Sequence, residues 1–527
     1  MIAIMKSIIF KIKKYLNKKS NSVIYKKEIK DIDFCQLERA NEYSKKTRSS
    51  VDDITWNDLD MDNVFAKINY TVTTPGEECL YSWLKNPLDN KKELKQRIDF
   101  INRFNNNKNI LHKLRMNLSK IKDCRYNFRE TIKNNFLINY IMLVFFIILS
   151  TSNLAIVVYS IIKKDLLLIP ILILIFPVNL FVHYKFNMKY GEQLDALNYT
   201  LRLVSFSIGN KKILEQINPE LANRLGKINN LLKDIAKKGT VIFRIEGLDV
   251  FADYINIAFL IKEINFLIIS NKIHKHKKEI IEIYELIGKL DCTLSIIKYR
   301  SELCYYCEPI IDDNIEEIHI TDMYHPLINN PISNSITIDK AVVITGSNMS
   351  GKSSFLRTIG LNALFVQSIC TSLSREHKTR FYRLITSISL NDDIQKNKSY
   401  FLMEAEAIKR MVSLKDDKYP SILLIDEIFK GTNPVERLAA SMEILNELAL
   451  GNTKVFVATH DLQILSELER YEYYYFTENV TKESLEFDYK IRRGVTTTRN
   501  AIKILEFINY PDEIISKINE RIDILEV

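Results

Sequence analysis

Glycine and proline are scarce, 13 and 11 of 527 residues. So few helix breakers argue for long helices over turns. Cysteine is sparse as well: seven residues, scattered at 35, 79, 124, 292, 304, 307 and 370. An odd, dispersed set makes no disulfide framework and fits reduced thiols. Cys304 and Cys307 form a CxxC, but no second His or Cys pair follows at zinc spacing. Buried or idle thiols are expected there, rather than a tetrahedral metal or redox site. Charge excess is also missing: 74 Lys+Arg against 65 Asp+Glu leaves +9. That balance permits a polyanionic partner without demanding one. At 46% apolar and 26% charged residues, the chain is neither disordered nor collagen-like. Its length suits about three or four domains.

Charge is absent altogether from two neighbouring stretches. Residues 136–162 read FLINYIMLVFFIILSTSNLAIVVYSII, and residues 166–184 read LLLIPILILIFPVNLFVHY. Lys163, Lys164 and Asp165 separate them. A bilayer-spanning helix needs about 20 mainly apolar residues, and a soluble core helix keeps a polar stripe. The pair therefore predicts a transmembrane helical hairpin within 134–190. Arg125, Arg129 and Lys133 precede it, and Lys185 and Lys189 follow. The positive-inside rule puts both flanks in the cytoplasm, so the expected location is the cell membrane, with two spans. The N-terminal segment 1–50 opens MIAIMKSIIFKIKKYLNKK, without the unbroken apolar core or cleavage site of a signal peptide. It reads either as a basic amphipathic helix on an anionic leaflet or as a solvated first segment. Residues 254–270 are apolar but carry Lys262 and Glu263, and read as a buried helix rather than a third span.

Residues 341–360 read AVVITGSNMSGKSSFLRTIG. A β-branched run ends at Gly346, the pattern G-x-x-x-x-G-K-S fills 346–353, and a helical pattern follows. Strand, glycine-rich loop and helix are what phosphate binding requires. The expected ATP-binding loop is Gly346, Ser347, Asn348, Met349, Ser350, Gly351, Lys352, Ser353 and Ser354. Its glycines let backbone amides approach the phosphates, and Lys352 brings charge to the β- and γ-phosphates. The helix N-terminus adds its dipole, and the Ser353 hydroxyl suits Mg²⁺. About seventy residues on, SILLIDEIFKGTN (421–433) is an apolar strand ending in Asp426 and Glu427. Asp426 suits a Mg²⁺-bound water, and Glu427 suits the polarisation of an attacking water. KVFVATHD (454–461) is another strand, ending at His460, which is expected to contact the γ-phosphate. Lys352, Glu427 and His460 are the candidate catalytic residues, with ATP and Mg²⁺ as substrate and cofactor.

Together these motifs resemble the MutS family of ATPases. GSNMSGKSS is similar to its GPNMGGKST loop, DEIFKGTNPVERLA to its DE-x-x-x-GT-S-x-x-D segment, and ATHDLQIL to its ATH segment. KNKSYFLMEAEAIKRM (396–411) resembles the stretch whose small hydroxyl residues reach the nucleotide of the other subunit. Ser399 holds that place, with Tyr400 where threonine is usual. MYHPLINN carries the family's HP step. Gly494 and Pro511 keep register with its closing pattern. LDMDNVFAKINYTVTTPGEECLYSWLKNPL (59–88) with Arg97, and ELIGKLDCTLSIIKYRSELCYYCEPII (285–311) with Leu290 and Asp291, are similar to the two ends of its helical core.

The resemblance implies an α/β P-loop ATPase domain of the ABC/MutS type at 311–515, followed by a C-terminal helix at 516–527. It implies an all-α helical core at 51–133 and 191–310, here interrupted by the transmembrane hairpin. It also implies a homodimer in which ATP binding closes two subunits and hydrolysis reopens them. Mismatch reading is not expected. The family's wedge is a Phe-x-Glu in a separate N-terminal domain; here Phe128–Glu130 and Phe476–Glu478 match the tripeptide but lie elsewhere. Segment 191–282 is short for lever helices plus a full clamp. An ABC transporter fits poorly, for want of an LSGGQ-like signature. Two readings stay open: a membrane-anchored ATPase on duplex DNA without sequence preference, or an ATPase that drives a membrane or protein partner.

Overall fold

The computed structural model describes residues 28–105, 108–124, 126–133, 140–163, 169–245, 250–347, 349–388, 400–429, 433–480, 485–495, 501–508 and 510–525. The chain divides into two compact units. The first comprises residues up to Tyr43, Asn69–Leu80 and Phe100–Lys298; the second comprises Ser44–Ile68, Tyr81–Asp99 and the chain from Tyr299 onwards.

Long helices build the first unit. Helix Ile169–Gly209 packs against helix Pro219–Ile245. Leu194, Leu197, Leu201 and Val204 are buried on one helix, and Leu221, Leu225, Ile228, Leu232 and Ile235 on the other. Steps of three and four place each set on one stripe, the pattern of a coiled-coil seam. Asn218 starts the second helix by accepting the Leu221 amide at 3.1 Å, and Pro219 loses nothing at a position whose N–H has no helical partner. Asp291 anchors the turn before helix Thr74–Lys85: its Oδ2 accepts from the amides of Val72 (3.0 Å) and Thr73 (2.9 Å) and from Thr73 Oγ1 (2.7 Å). A Cβ at Gly76 would stand 2.2 Å from that oxygen, so glycine is required at the close approach.

The apolar stretches take helical form. Tyr140–Lys163 is the one helix among the described residues that is long and apolar enough to cross a membrane. Ile141, Ile148, Ile161 and Ile162 on it are exposed. Residues 136–139 and 164–168, which include most of the expected turn, lie outside the described residues. The second apolar stretch does not end near 184. It continues as one helix of 41 residues, Ile169–Gly209, through Pro177 and past Lys185 and Lys189. Replacing apolar by polar residues changes the solvent a helix prefers, not its backbone. The single helix expected over 254–270 is likewise corrected. Two helices, Val250–Phe259 and Ile261–Lys275, meet at left-handed Leu260, and Tyr254 and Ile255 are exposed rather than buried.

The second unit is α/β. Its strands are β1 (Ile310–Ile311), β2 (Ile318–Met323), β3 (Asn334–Ile338), β4 (Ala341–Thr345), β5 (Glu376–Thr379), β6 (Arg383–Ser387), β7 (Ser421–Asp426), β8 (Thr453–Ala458), β9 (Tyr471–Tyr475), β10 (Glu478–Val480), β11 (Leu485–Phe487) and β12 (Arg492–Arg493). A six-stranded sheet runs in the order β12-β9-β4-β8-β7-β6. All its pairings are parallel except β12 on β9. β4 is buried throughout, and β7 and β8 nearly so; strands covered on both faces read as continuous apolar runs. Val343, Leu423, Val455 and Val457 form its core with Met411 and Leu445 from helices Tyr400–Val412 and Pro434–Leu450. A four-stranded sheet, β1-β5-β2-β3, lies in the same unit.

Residues 44–68 and 81–99 belong to this unit and grip helix Lys352–Ser368. Arg357 Nε donates to the Asp58 carbonyl at 2.9 Å, and the Asp58 carboxylate accepts from Thr386 Oγ1 (2.6 Å) and the Ile388 amide (2.9 Å). Arg97, stacked 3.8 Å over the Trp83 ring, donates to the Ser368 carbonyl at 2.5 Å. A cation at that helix C-terminus is favoured by the helix dipole.

Candidate functional site

The parallel strands β4, β7 and β8 deliver their C-terminal ends to one edge of the sheet, where open α/β sheets hold ligands. From β4 the chain turns at Gly346 (φ 143°), passes Met349 (φ 76°) and reaches Gly351 (φ 106°), which precedes helix Lys352–Ser368. Both glycines are needed. A Cβ at Gly346 would come 2.8 Å from the Phe476 carbonyl oxygen, and one at Gly351 would come 3.2 Å from the Tyr489 ring. The loop wraps the buried Lys352, whose Nζ donates to the carbonyls of Gly346 (2.7 Å) and Ser347 (2.8 Å). The hydroxyls of Ser347 and Ser350 are buried and carry no hydrogen-bond partner among the described residues. Backbone amides, an ammonium and a helix N-terminus within a few residues make a cradle for an anion.

Asp426 ends β7, in register with Ala458 on β8. Glu427 follows in the left-handed region, φ 59°, with its amide on the Ala458 carbonyl at 2.9 Å. A non-glycine residue held there is strained, and such strain gathers at functional turns. Beyond β8, Thr459 donates to the Ile344 carbonyl at 3.0 Å. His460, half exposed, sets its Nδ1 2.9 Å from Glu427 Oε1. Asp461 is tied to Arg437 at 3.0 Å.

One cavity of about 1100 Å³ gathers Ser347, Met349, Gly351, Lys352, Ser353, Ser354, Asp426 and Glu427. The predicted loop and the two carboxylates of β7 thus meet in space. Gly346 and Ser350 shape the loop behind that lining, and His460 reaches it through Glu427. Asn348 and Ser399 lie outside the described residues. Ser353 and Asp426 offer hydroxyl and carboxylate oxygens, the hard donors that suit Mg²⁺.

The opposite wall was not assigned from sequence. Tyr324, His325, Ile328 and Ile332 arrive from the end of β2 and the loop after it, and Phe487 and Tyr489 from β11 and beyond. Phe487 and Tyr489 stack at 5.7 Å, and Asn334 Nδ2 fixes the Tyr489 carbonyl at 2.9 Å. His325 is held neutral: burial, then Arg357, push its pKa down to about 4. An apolar and aromatic wall facing an anion cradle suits a ligand with a planar ring and a phosphate tail. The HP step of MYHPLINN was the sequence signal nearest to it. Neither Phe-x-Glu presents a free ring. Phe128 is buried and stacks on Tyr284 at 4.5 Å, and buried Phe476 packs edge-on against Phe355 at 5.6 Å.

Comparison with known proteins matches residues 47–296 to the model of MutS domain III and residues 342–526 to that of MutS domain V. DNA mismatch repair protein MutS of Thermotoga maritima is 25% identical over 511 residues, covering 87% of this chain and 62% of that protein. The protein of the same name from Thermotoga sp. is 26% identical over 513 residues, with the same coverage. Endonuclease MutS2 of Streptococcus pneumoniae is 26% identical over 347 residues, 62% of this chain and 43% of that protein. The chain thus spans less than two thirds of the length of these relatives.

Proposed function

Because the chain belongs to the MutS family, we propose that its second unit is a P-loop ATPase, and that the protein is a membrane-anchored dimeric member of that family. The observation that carries the ATPase reading is the meeting of Lys352, Ser353, Asp426 and Glu427 in one cavity beneath a glycine-pinned loop. Lys352, already turned into the loop, neutralises the β- and γ-phosphates. Amides of 346–353 and the helix N-terminus hold the phosphate oxygens. The wall of Tyr324, Ile328 and Tyr489 takes the base. Ser353 and Asp426 are the residues to hold Mg²⁺, which when bound neutralises phosphate charge. Glu427 orients and polarises water for in-line attack, and His460 donates to its carboxylate and fixes it. Ser399 would complete the site of a partner subunit, so that closure of a homodimer depends on bound ATP.

The exposed apolar side chains of Tyr140–Lys163 support membrane anchoring. At 1.5 Å per residue a helix of 41 residues extends roughly 60 Å, about twice the hydrocarbon thickness. One half of Ile169–Gly209 can cross the bilayer while the other, with its buried leucine stripe, stays in the aqueous helical core. This is a built lever from membrane to core. The name of the Thermotoga relatives supports duplex DNA as a ligand, while the buried Phe128 and Phe476 oppose mismatch reading. Without DNA, the same lever would drive a membrane or protein partner. The ATPase reading is tested by phosphate release from detergent-solubilised protein: Lys352→Ala should abolish nucleotide affinity or turnover, and wild-type turnover in that variant would overturn the reading.

A further inference from the structure

The break at Leu260 is built from side chains of three helical segments. Leu260 sits at φ 47°, ψ 38°, and a turn of that hand strands backbone groups that an unbroken helix would pair. The Ala258 carbonyl is one. Asn153, from helix Tyr140–Lys163, and Asn179, from helix Ile169–Gly209, each donate Nδ2 to it at 2.7 Å. The Lys262 amide is the other, and Asn256 Oδ1 accepts it at 2.8 Å. All three asparagines are buried.

Three residues past the break, Glu263 is fully buried. His183 Nδ1 lies 2.5 Å from its Oε1, and Asn187 Nδ2 lies 2.8 Å from His183 Nε2. Asn179, His183 and Asn187 recur every four residues, on one helix face. An amide nitrogen only donates, so Nε2 is the acceptor and the single imidazole proton sits on Nδ1, donated to Glu263. In that tautomer the imidazole brings no formal positive charge to the carboxylate. Glu263 Oε2, Asn153 Oδ1 and Asn179 Oδ1 are buried and have no hydrogen-bond donor among the described residues.

Charged groups among the described residues of the helices that form this cluster are placed as follows. Lys262 is its neighbour in sequence. On the helix of His183, Lys185 and Lys189 lie over the rings of Phe181 and Tyr190. On the helix of Glu263, Lys272 is paired with Asp234 of helix Pro219–Ile245 at 2.6 Å. Helix Tyr140–Lys163 brings no charge before its terminal Lys163. The N-terminus of helix Ile261–Lys275 supplies only a partial positive charge to Glu263. A buried carboxylate needs a full countercharge, and oxygens that can only accept ask for a cation rather than an anion.

We propose that the Leu260 break is a cation site that takes up one positive charge, a proton or a sodium ion, on Glu263 Oε2, with the free oxygens of Asn153 and Asn179 as its further candidate ligands. As a proton, the charge comes from solvent, forms an O–H bond on Oε2 and leaves Glu263 neutral. As sodium, it leaves the carboxylate ionised. The site stands independently of the nucleotide reading. The test uses the full chain in detergent. Its unfolding midpoint is compared in sodium chloride and choline chloride at equal ionic strength, and its carboxylic-acid infrared band is followed from about pH 5 to 9. Sodium occupancy appears as a saturable, sodium-specific rise in midpoint; proton occupancy appears as an acid band at neutral pH that sodium does not remove. Glu263→Gln should lose whichever signal wild type shows. Glu263→Asp, which keeps the carboxyl, should retain it with affinity weakened at least tenfold. A midpoint indifferent to sodium, together with no acid band that depends on residue 263, overturns the proposal. The wild-type comparison decides this even where a variant does not fold.

Discussion

His460 and Glu427 meet at 2.9 Å, Nδ1 to Oε1, across the ends of two adjacent parallel strands. They are 33 residues apart in sequence, yet Asp426 and Ala458 lie directly opposite each other in the sheet, so the two strand ends bring the pair together and Glu427 lines the cavity. The imidazole orients the carboxylate, and the carboxylate faces the loop. Removing the two should therefore differ in severity. Glu427→Ala should keep ATP affinity and lower kcat by about 10²–10⁴, the usual worth of a positioned base, and on the proposed dimer mechanism it should trap the closed state. His460→Ala should fall between that variant and wild type. Equilibrium nucleotide binding beside phosphate release separates the steps; wild-type turnover in Glu427→Ala would overturn its role.

Glu78 gives the helical unit a pH dependence of definite sign. Burial pushes its pKa up to about 7, with Arg129 pulling partly the other way. The folded chain therefore holds this proton more tightly than the unfolded chain, whose carboxyl titrates near 4.5. Stability contributed by the neutral acid is complete at low pH and is lost as pH rises through that interval. The loss is on the order of 3 kcal/mol by pH 8. Asp291, raised by burial to about 6, adds to the lower part of the same slope. Glu78→Gln should flatten the slope and leave the variant more stable than wild type at pH 8. Urea midpoints at pH 5 and 8 measure this; parallel slopes in the two proteins would refute the assignment.

What the sequence disclosed depended on how local each determinant is. The loop at 346–353 is legible because its two glycines, lysine and serine sit within eight residues between a strand and a helix. Asp426, Glu427 and His460 are legible because each ends an apolar strand. The aromatic wall is not, because Tyr324, Ile328 and Tyr489 come together only when β2 and β11 have folded around the cavity. The break at Leu260 is hidden for the same reason. Its cause is partly in Asn153 and Asn179, 107 and 81 residues before Leu260, and no window over 254–270 contains them. The run from 169 to 209 shows a third case: hydropathy marks where a helix changes solvent and says nothing of where it stops.

The exposed apolar side chains of helix Tyr140–Lys163 are the basis of the proposed membrane anchoring, which predicts a definite fractionation. The wild-type protein should stay with membranes through high salt and alkaline carbonate washes and leave only with detergent, because buried apolar area does not respond to ionic strength. Deletion of 136–184 should release the chain, apart from weak salt-sensitive adsorption through its basic N-terminal segment. Wild-type protein that leaves with salt alone would end the hairpin reading.

The last prediction concerns DNA. Phe128 is stacked inside the helical unit and Phe476 is packed against Phe355 beside the glycine-rich loop, so neither Phe-x-Glu can enter a base stack without dismantling its surroundings. If the helical core holds a duplex, its contacts should be with phosphates, and binding should fall steeply with salt as each neutralised phosphate releases counterions. A base-reading protein would instead discriminate by about 1–3 kcal/mol per contacted pair. Titrating paired and mismatched duplexes across a salt series should give equal affinities and a marked slope. Preference for the mismatch would mean that a wedge has been missed. No binding even at low salt would remove DNA from the proposal and favour the reading in which the ATPase drives a membrane or protein partner.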